Sequence, residues 1–472
     1  MHASANLSRH RLGGSVYDVA IIGGGPGGYA AALYAHNFGL SVALVEKDKV
    51  GGTCLHRGCI PAKAWLHTAE VFTEVAGSAE VGVMSSPPVV DWSRALARKH
   101  EVVSQLYSGL NGLIKQRKVA VLAGTGRLSG PGTIDVVGND GASTRIEARA
   151  VIVATGAVPR TIPGYEIDGT RIVTSDQALD WASQPPRVAV IGAGAIGSEF
   201  ASLLADLGST VQLFEVVDQV VPGIEPAAAR VLARAMVKKG VQIHIGTEVG
   251  APRIGSHAVV VPFGEESVEV DVVLVAVGRA PLTAGVGLEE AGVRLDRGYV
   301  HVDPRTMLTD APGVYAVGDI VAGTPQLAHA GFAEGMAAIT HNATGTAAPV
   351  DYRAIPLVVY TAPEVAAVGL TEQQARDAGY DVEVHDHGIG GVGRAIIKGD
   401  TTGLVKIVVQ KGGPILGATV VGPSAGELIH ELMYAVGWEA LPSEAAAFVH
   451  AHPTLAEAVG ESLLAASGRS LH

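Results

Sequence analysis

One supersecondary unit occurs twice in this chain, and that repetition constrains the fold more than any other feature. Residues 17–48, YDVAIIGGGPGGYAAALYAHNFGLSVALVEKD, read as strand, glycine-rich turn, helix and strand. Residues 187–218, RVAVIGAGAIGSEFASLLADLGSTVQLFEVVD, read the same way. Gly23, Gly25, Gly28, Gly39 and Glu46 return 169 positions later as Gly192, Gly194, Gly197, Gly208 and Glu215. In a G-x-G-x-x-G turn the first glycine permits the tight bend and the second lets backbone approach a pyrophosphate. The third lets the helix pack on the strand. The helix N-terminus presents free N–H groups and a positive dipole end to phosphates. The acid closing the second strand accepts hydrogen bonds from ribose hydroxyls. A lone motif is weak; two complete units, each with its terminal acid in place, predict two dinucleotide sites in an α/β protein.

The second site is expected to take NAD rather than NADP. A 2′-phosphate would be repelled by Glu215, and the next residues, Val216, Val217 and Asp218, bring no cation. The first site is expected to take a different dinucleotide, because cysteines follow its acid. Much later VYAVGD ends at Asp319, a strand stopping at a carboxylate suited to a ribityl or ribose hydroxyl.

The chain has only two cysteines, Cys54 and Cys59, both in GGTCLHRGCIPAK. Two so close together in a long chain suggest redox chemistry or metal binding. Metal binding would need further ligands, and no further cysteine exists. Five residues of regular helix rise about 7.5 Å, whereas a disulfide wants Cα atoms within about 7 Å. A bonded pair therefore requires a broken helix, which Gly58 and Pro61 would allow. A helix N-terminus beside Arg57 and Lys63 would favour a thiolate.

Net charge is −12 across 472 residues, which argues against nucleic acid as a partner and disfavours an anionic membrane surface. No apolar run reaches the roughly 18 residues of a membrane span. Residues 1–15 lack the apolar core of a secretion signal. They read as a flexible leader rather than a transit peptide, although Arg9 and Arg11 lie in an acid-free start. A cytoplasmic location is expected.

GGTCLHRGCIPAK closely resembles the redox motif of the pyridine nucleotide–disulfide oxidoreductases. Further landmarks follow in that family's order: VIVATGAVP at 151–159, VIGAGAIGSEF at 190–200, VAVGRAP at 275–281, VYAVGD at 314–319, LAHAGFAEG at 327–335 and HAHPTLAE at 450–457. The resemblance covers nearly the whole chain after the leader. It implies two Rossmann-like domains, for FAD and NAD, plus a C-terminal α+β dimerisation domain. The implied boundaries are an FAD domain at 16–160 carrying the cysteines and an NAD domain at 161–284. A central domain at 285–352 would complete the FAD site, with an interface domain at 353–472. It also implies a homodimer in which each active site borrows the partner's C-terminal histidine.

The ending HAHPTLAE resembles the branch that oxidises the dithiol of a lipoyl group with NAD. Glutathione reductases prefer NADP, which Glu215 opposes, and mercuric reductases carry an extra C-terminal cysteine pair. The implied partners are lipoyl domains and E2 subunits of 2-oxo acid dehydrogenase complexes, or the H-protein of glycine cleavage. Another disulfide or a quinone is the alternative substrate. By resemblance Cys54 is the interchange thiol, Cys59 the thiol nearest the flavin, His452 the general base and Glu457 its partner. Pro453 is implied to follow a cis peptide, and His450 is read as a packing or surface residue. The FAD set carries over to Gly23, Gly25, Gly28, Glu46, Lys63, Gly126, Thr155, Gly156, Asp319, Leu327, Ala328 and His329. The NAD set carries over to Gly192, Gly194, Gly197, Glu199, Glu215 and Gly278, with Lys63 also expected to pair with Glu199. No resident metal is implied. Three departures stand out: Ala62 where many members have Ser, His56-Arg57 where many have Asn-Val, and Leu282-Thr283 where an Asn usually follows GRxP.

Overall fold

The computed structural model describes residues 16–471; the leader expected at 1–15 lies outside them. The chain gathers into two compact units. The first comprises residues 16–54, 106–157 and 281–350; the second comprises 55–105, 158–280 and 351–471.

In the first unit, strand Tyr17–Ile22 lies between Val42–Glu46 and Ser143–Val153, parallel to both. Ala120–Gly130 extends the parallel sheet beyond Val42–Glu46, and Val314–Ala316 extends it beyond Ser143–Val153. Antiparallel strand Thr133–Gly138 joins the long arms of Ala120–Gly130 and Ser143–Val153. The central strands are continuous apolar runs, Val19–Ile22 and Val42–Val45, as a parallel sheet covered on both faces requires. Helices Pro26–Tyr34 and Ala328–Thr344 pack closely together. Glycines allow it: a Cβ on Gly335 would sit 2.6 Å from the Gly27 carbonyl oxygen.

The second unit holds the repeated copy. Strands Gln242–His244, Thr210–Phe214, Arg187–Ile191, Val272–Val275 and Ile172–Val173 neighbour one another in that order, all parallel. Helix Ala195–Asp206 follows the second turn, and helix Cys59–Gly77 packs against it. The C-terminal part is a five-stranded antiparallel sheet, ordered Leu357–Val359, Glu364–Gly369, Ile415–Gly422, Leu404–Gln410, Val382–Gly388. Helices Ala425–Gly437 and Glu457–Ala466 cover it. The architecture is thus the expected pair of Rossmann-like halves with a C-terminal α+β layer. Among the described residues, no helix is long and apolar enough to cross a membrane.

Candidate active site

The first turn leaves strand Tyr17–Ile22 at Gly23, whose φ of +102° few side chains tolerate. A Cβ there would lie 2.3 Å from the Ala154 carbonyl oxygen, and one on Gly28 would lie 1.9 Å from the Gly23 carbonyl oxygen. These two glycines are demanded by the fold itself. Gly25 is not: a Cβ there would meet no protein atom within 4 Å. It is the N-cap of helix Pro26–Tyr34, with extended backbone and no capping side chain. The empty space and the uncapped N–H groups form a cradle for an anion, which fits the pyrophosphate of FAD. Both oxygens of Glu46 are fixed by backbone, accepting from Gly24 N at 2.7 Å and Asp48 N at 2.8 Å. Beside Glu46 opens a cavity of about 320 Å³, lined also by Asp48, Val50, Tyr107, Asn111 and Lys115. The helical residues among these carry no motif and were not singled out from sequence.

The other expected FAD residues of this unit fall at strand ends and a helix start. The Thr155 hydroxyl donates to the Leu282 carbonyl at 2.6 Å, and Leu282 N donates to the Gly156 carbonyl at 2.8 Å. Both bonds use the backbone of Leu282, so neither depends on which side chain stands at 282. Gly126 lies against the sheet, where a Cβ would press Val45, Ile22 and Ile134 at 3.2–3.4 Å. Asp319 closes the turn after Val314–Ala316, and its carbonyl accepts from Gln326 Nε2 at 3.1 Å. Leu327 is the N-cap of helix Ala328–Thr344, which begins with Ala328 and His329 and likewise has no capping side chain. Glu334, fully buried on that helix, accepts from Gly318 N at 2.5 Å and so holds the turn that presents Asp319. Glu334 falls within LAHAGFAEG, but no local pattern in the sequence signals this role.

The second turn repeats the first in its hydrogen bonds. Ala193 N donates to Glu215 at 2.7 Å and Val217 N at 3.2 Å, each donor 169 positions beyond its counterpart. Gly192 has φ +97°, a Cβ on Gly197 would lie 1.8 Å from the Gly192 carbonyl oxygen, and Gly194 again has nothing within 4 Å. This cradle fits NAD as the first fits FAD. Gly278, at φ +101°, accepts from Arg160 N at 2.9 Å. Glu199 stands apart from this turn. Its carboxylate receives both bonds from Lys63 Nζ at 2.9 Å, and a further bond from Tyr360 N at 3.0 Å. The Lys63 ammonium also lies 4.5 Å from the centre of the Tyr360 ring. Lys63 is 34% exposed and Glu199 only 8%, so the pair is half-sheltered rather than a surface contact.

The cysteine segment is broken at the expected place. Helix Gly52–Arg57 carries Cys54; Gly58, at φ −147° and ψ −110°, interrupts it; helix Cys59–Gly77 begins with Cys59. Cys54 is half-buried and Cys59 exposed. Position at the start of a 19-residue helix favours the Cys59 thiolate through the helix dipole.

His452 and Glu457 form a dyad, with Nδ1 and Oε1 2.8 Å apart. A carboxylate can only accept, so Nδ1 carries the hydrogen, and in the neutral ring Nε2 is left with its lone pair. The second Glu457 oxygen accepts from Thr454 N at 2.9 Å. The His452 hydrogen bond, followed by that backbone N–H, holds the Glu457 carboxyl below the usual carboxylate range. The His452–Pro453 peptide is cis. The His452 side chain is 78% exposed, so it is available to another molecule. His450 is different: it is mostly buried, its Nε2 lies 2.6 Å from Glu431, and Gly460 leaves room for its ring. The Glu431 hydrogen bond raises its pKa against the opposing effect of burial.

Two dinucleotide cradles, a cysteine pair at a helix start and a carboxylate-oriented imidazole define a dinucleotide-dependent dithiol–disulfide oxidoreductase. Residues 17–335 match the pyridine nucleotide-disulphide oxidoreductase family and 355–463 match its dimerisation domain. The chain belongs to this family and is an FAD- and NAD-dependent disulfide oxidoreductase. It is 36% identical to dihydrolipoyl dehydrogenase of Bacillus subtilis (strain 168), over 97% of this chain and 99% of that one. It is 40% identical to the dihydrolipoyl dehydrogenase of Thermus scotoductus, over 97% and 98%. Among solved structures it resembles LpdA from Mycobacterium tuberculosis, with TM-score 0.88 and 30% identity over 95% of this chain and 99% of that one. The HOCl-induced flavoprotein disulfide reductase RclA from Escherichia coli is also similar, with TM-score 0.84 and 27% identity over 95% and 99%.

Proposed function

We propose that the chain oxidises dihydrolipoamide to lipoamide and reduces NAD⁺ to NADH. The observation that carries this reading is likeness over nearly the full length of both chains to dihydrolipoyl dehydrogenases, in a chain that keeps the His452–Glu457 dyad. The acting species is a cytoplasmic homodimer. Residues 16–160 and 285–352 bind FAD, 161–284 bind NAD, and 353–472 form the interface that brings His452 to the partner's cysteines. Its substrates are lipoyl groups on the lipoyl domains of E2 subunits in 2-oxo acid dehydrogenase complexes, or on glycine-cleavage H-protein.

His452 Nε2 takes the proton from one substrate thiol, since only the thiolate is a competent nucleophile. That thiolate attacks Cys54 Sγ of the oxidised pair; the Cys54–Cys59 bond breaks and Cys59 leaves as a thiolate. The second substrate thiol attacks the substrate sulfur of the mixed disulfide; the bond to Cys54 Sγ breaks, the second thiol's proton passes to the departing Cys54 sulfur, and lipoamide leaves with both cysteines reduced. Glu457 stabilises the imidazolium formed on the way. The Lys63 charge, held by Glu199 and Tyr360, and the helix N-terminus favour the Cys59 thiolate. Bound FAD supplies acceptance of the electron pair from the dithiol and hydride donation to NAD⁺, which restores the disulfide. Gly23, Gly25, Gly28, Glu46, Lys63, Gly126, Thr155, Gly156, Asp319 and residues 327–329 would hold it. Gly192, Gly194, Gly197, Glu199, Glu215 and Gly278 would hold NAD.

The test is an anaerobic titration of the purified holoenzyme with dihydrolipoamide, then NAD⁺, followed by visible absorption. A long-wavelength band that grows with dithiol and vanishes as NADH appears supports the reading. A flavin that ignores the dithiol but reacts with NADH refutes it, and points to another disulfide or a quinone.

A further inference from the structure

The loop after Glu215 is fastened at both ends. At its start Glu215 accepts from Ala193 N, and midway Val221 N donates back to the Ala193 carbonyl at 2.7 Å. Ala193, inside the second glycine turn, is therefore gripped through both its backbone groups. Val221 makes that bond at φ +44°, where a β-branched residue is rarely found. Val220, Val221 and Ile224 are buried, and Gln219 Nε2 bonds the Ile224 carbonyl at 3.0 Å. Such a conformation persists only where its surroundings over-determine it.

The far end supplies that restraint. Glu225, buried at the N-cap of helix Pro226–Lys238, has one carboxylate oxygen 2.6 Å from Lys406 Nζ; the other accepts from Glu372 N at 3.0 Å. Lys406 lies on strand Leu404–Gln410 of the C-terminal sheet and is itself buried. Its ammonium also meets Glu372 at 2.7 Å, and Arg376 bonds Glu372 at 3.0 Å. Two cations and two carboxylates thus balance where the loop ends. Removing the buried ammonium would leave Glu225 without its charge partner, and a buried charge in that position moves toward water.

We propose that Lys406 is a positioning residue for the pyridine nucleotide: by fixing Glu225 it holds the loop 216–224 against the Gly192–Gly197 turn. The inference rests on the reading that this turn binds NAD. The first copy takes a different course at this point. There Gly51 N closes on the Gly24 carbonyl at 2.7 Å, and the chain passes directly into the helix carrying Cys54.

The test compares wild-type, Lys406→Met and Lys406→Arg holoenzymes. Equilibrium NADH binding is read by fluorescence, the KM for NAD⁺ and kcat by steady state, and dihydrolipoamide reduction by stopped flow. Lys406→Met should weaken NADH binding and raise KM by about 3- to 30-fold, with kcat and the dithiol half-reaction within about twofold. Amide exchange at 216–224 should quicken, and Lys406→Arg should recover most of the affinity. Unchanged NADH binding in Lys406→Met overturns the proposal. So does loss of flavin or of the dithiol half-reaction alongside it, which would make Lys406 a general support of the fold. Glu225→Gln, which keeps the size and hydrogen-bonding capacity of the side chain, should show the same selective weakening if Lys406→Met does not fold. Failure of the wild-type protein to bind NADH is a separate result, and refutes the nucleotide assignment itself.

Discussion

Substituting the middle glycine of each turn separates what the cofactor needs from what the fold needs. Gly194 has φ −66° and ψ −173°, a conformation alanine adopts freely, and its added Cβ would touch no protein atom within 4 Å. Gly194→Ala should therefore leave the unfolding midpoint of the NAD-free protein unchanged, or raise it slightly. Gly→Ala at a compatible site contributes about 0.4–1 kcal/mol through the unfolded chain. The methyl would instead occupy the space assigned to the pyrophosphate. Overpacking a close contact costs about 1–3 kcal/mol, which corresponds to roughly 5- to 150-fold in dissociation constant. Gly197→Ala is the contrast, because its Cβ would fall 1.8 Å from the Gly192 carbonyl oxygen. It should lower stability even without nucleotide. The assay is calorimetric titration of NADH into flavin-loaded protein, beside thermal unfolding of the same samples. If Gly194→Ala binds NADH within twofold of wild type, the open space above that residue is not the phosphate cradle, and the argument from empty space fails for Gly25 also.

Cys54→Ser and Cys59→Ser should each abolish dihydrolipoamide oxidation while the protein stays yellow; full activity in either would remove the cysteine pair from the mechanism. His452→Gln should lower turnover by about 10²- to 10⁴-fold, the usual contribution of a positioned general base, with flavin retained and NADH reduction of the flavin unaffected. Glu215→Arg should reverse the preference between NAD and NADP, and unaltered selectivity in its kcat/KM values would place the ribose acid elsewhere. His450 titrates higher in the folded protein than its ordinary value, so the Glu431 contact stabilises below the unfolded pKa, about 6.5, and its contribution is lost as pH rises through the raised folded value. Urea unfolding of Glu431→Gln should accordingly show its largest deficit near pH 6 and converge with wild type at alkaline pH; a deficit independent of pH would refute the pairing.

Local chemistry was legible in the sequence and long-range pairing was not. The glycine spacing and the terminal acids announce the two turns because each constraint acts within about 25 residues. A break between the cysteines follows from helix rise once they are required to bond, and of the two residues that would allow it, Gly58 makes it while Pro61 lies within the next helix. Glu199 is the exception, because its long-range pairing with Lys63 is implied by the family resemblance and is found. It follows the third glycine of the second turn by two residues, about 200° around a helix at 3.6 residues per turn. Its carboxylate accordingly points away from the turn and meets Lys63, 136 residues earlier. The cavity residues Tyr107, Asn111 and Lys115 sit on a helix whose polar pattern reads as an ordinary solvated face. Glu334 and Lys406 are charged residues inside apolar surroundings, and only their distant partners explain them.

The two copies also show where one structural unit can carry different chemistry. Hydrogen bonds from 24 and 48 to Glu46 recur from 193 and 217 to Glu215, so the hydrogen-bonded frame of the turn is common to both. The copies diverge only after the loop returns to its turn. In the first, the return is made by Gly51, and Gly52 at φ +59° packs so close that a Cβ would lie 2.6 Å from Gly25 Cα. That close approach sets the cysteine helix directly on the phosphate turn. In the second, the bulkier Val221 makes the return, and the chain leads to a carboxylate buried against Lys406. At exit positions one residue out of register, the chain thus leads into the helix carrying Cys54 in one copy and to a buried ion-paired carboxylate in the other.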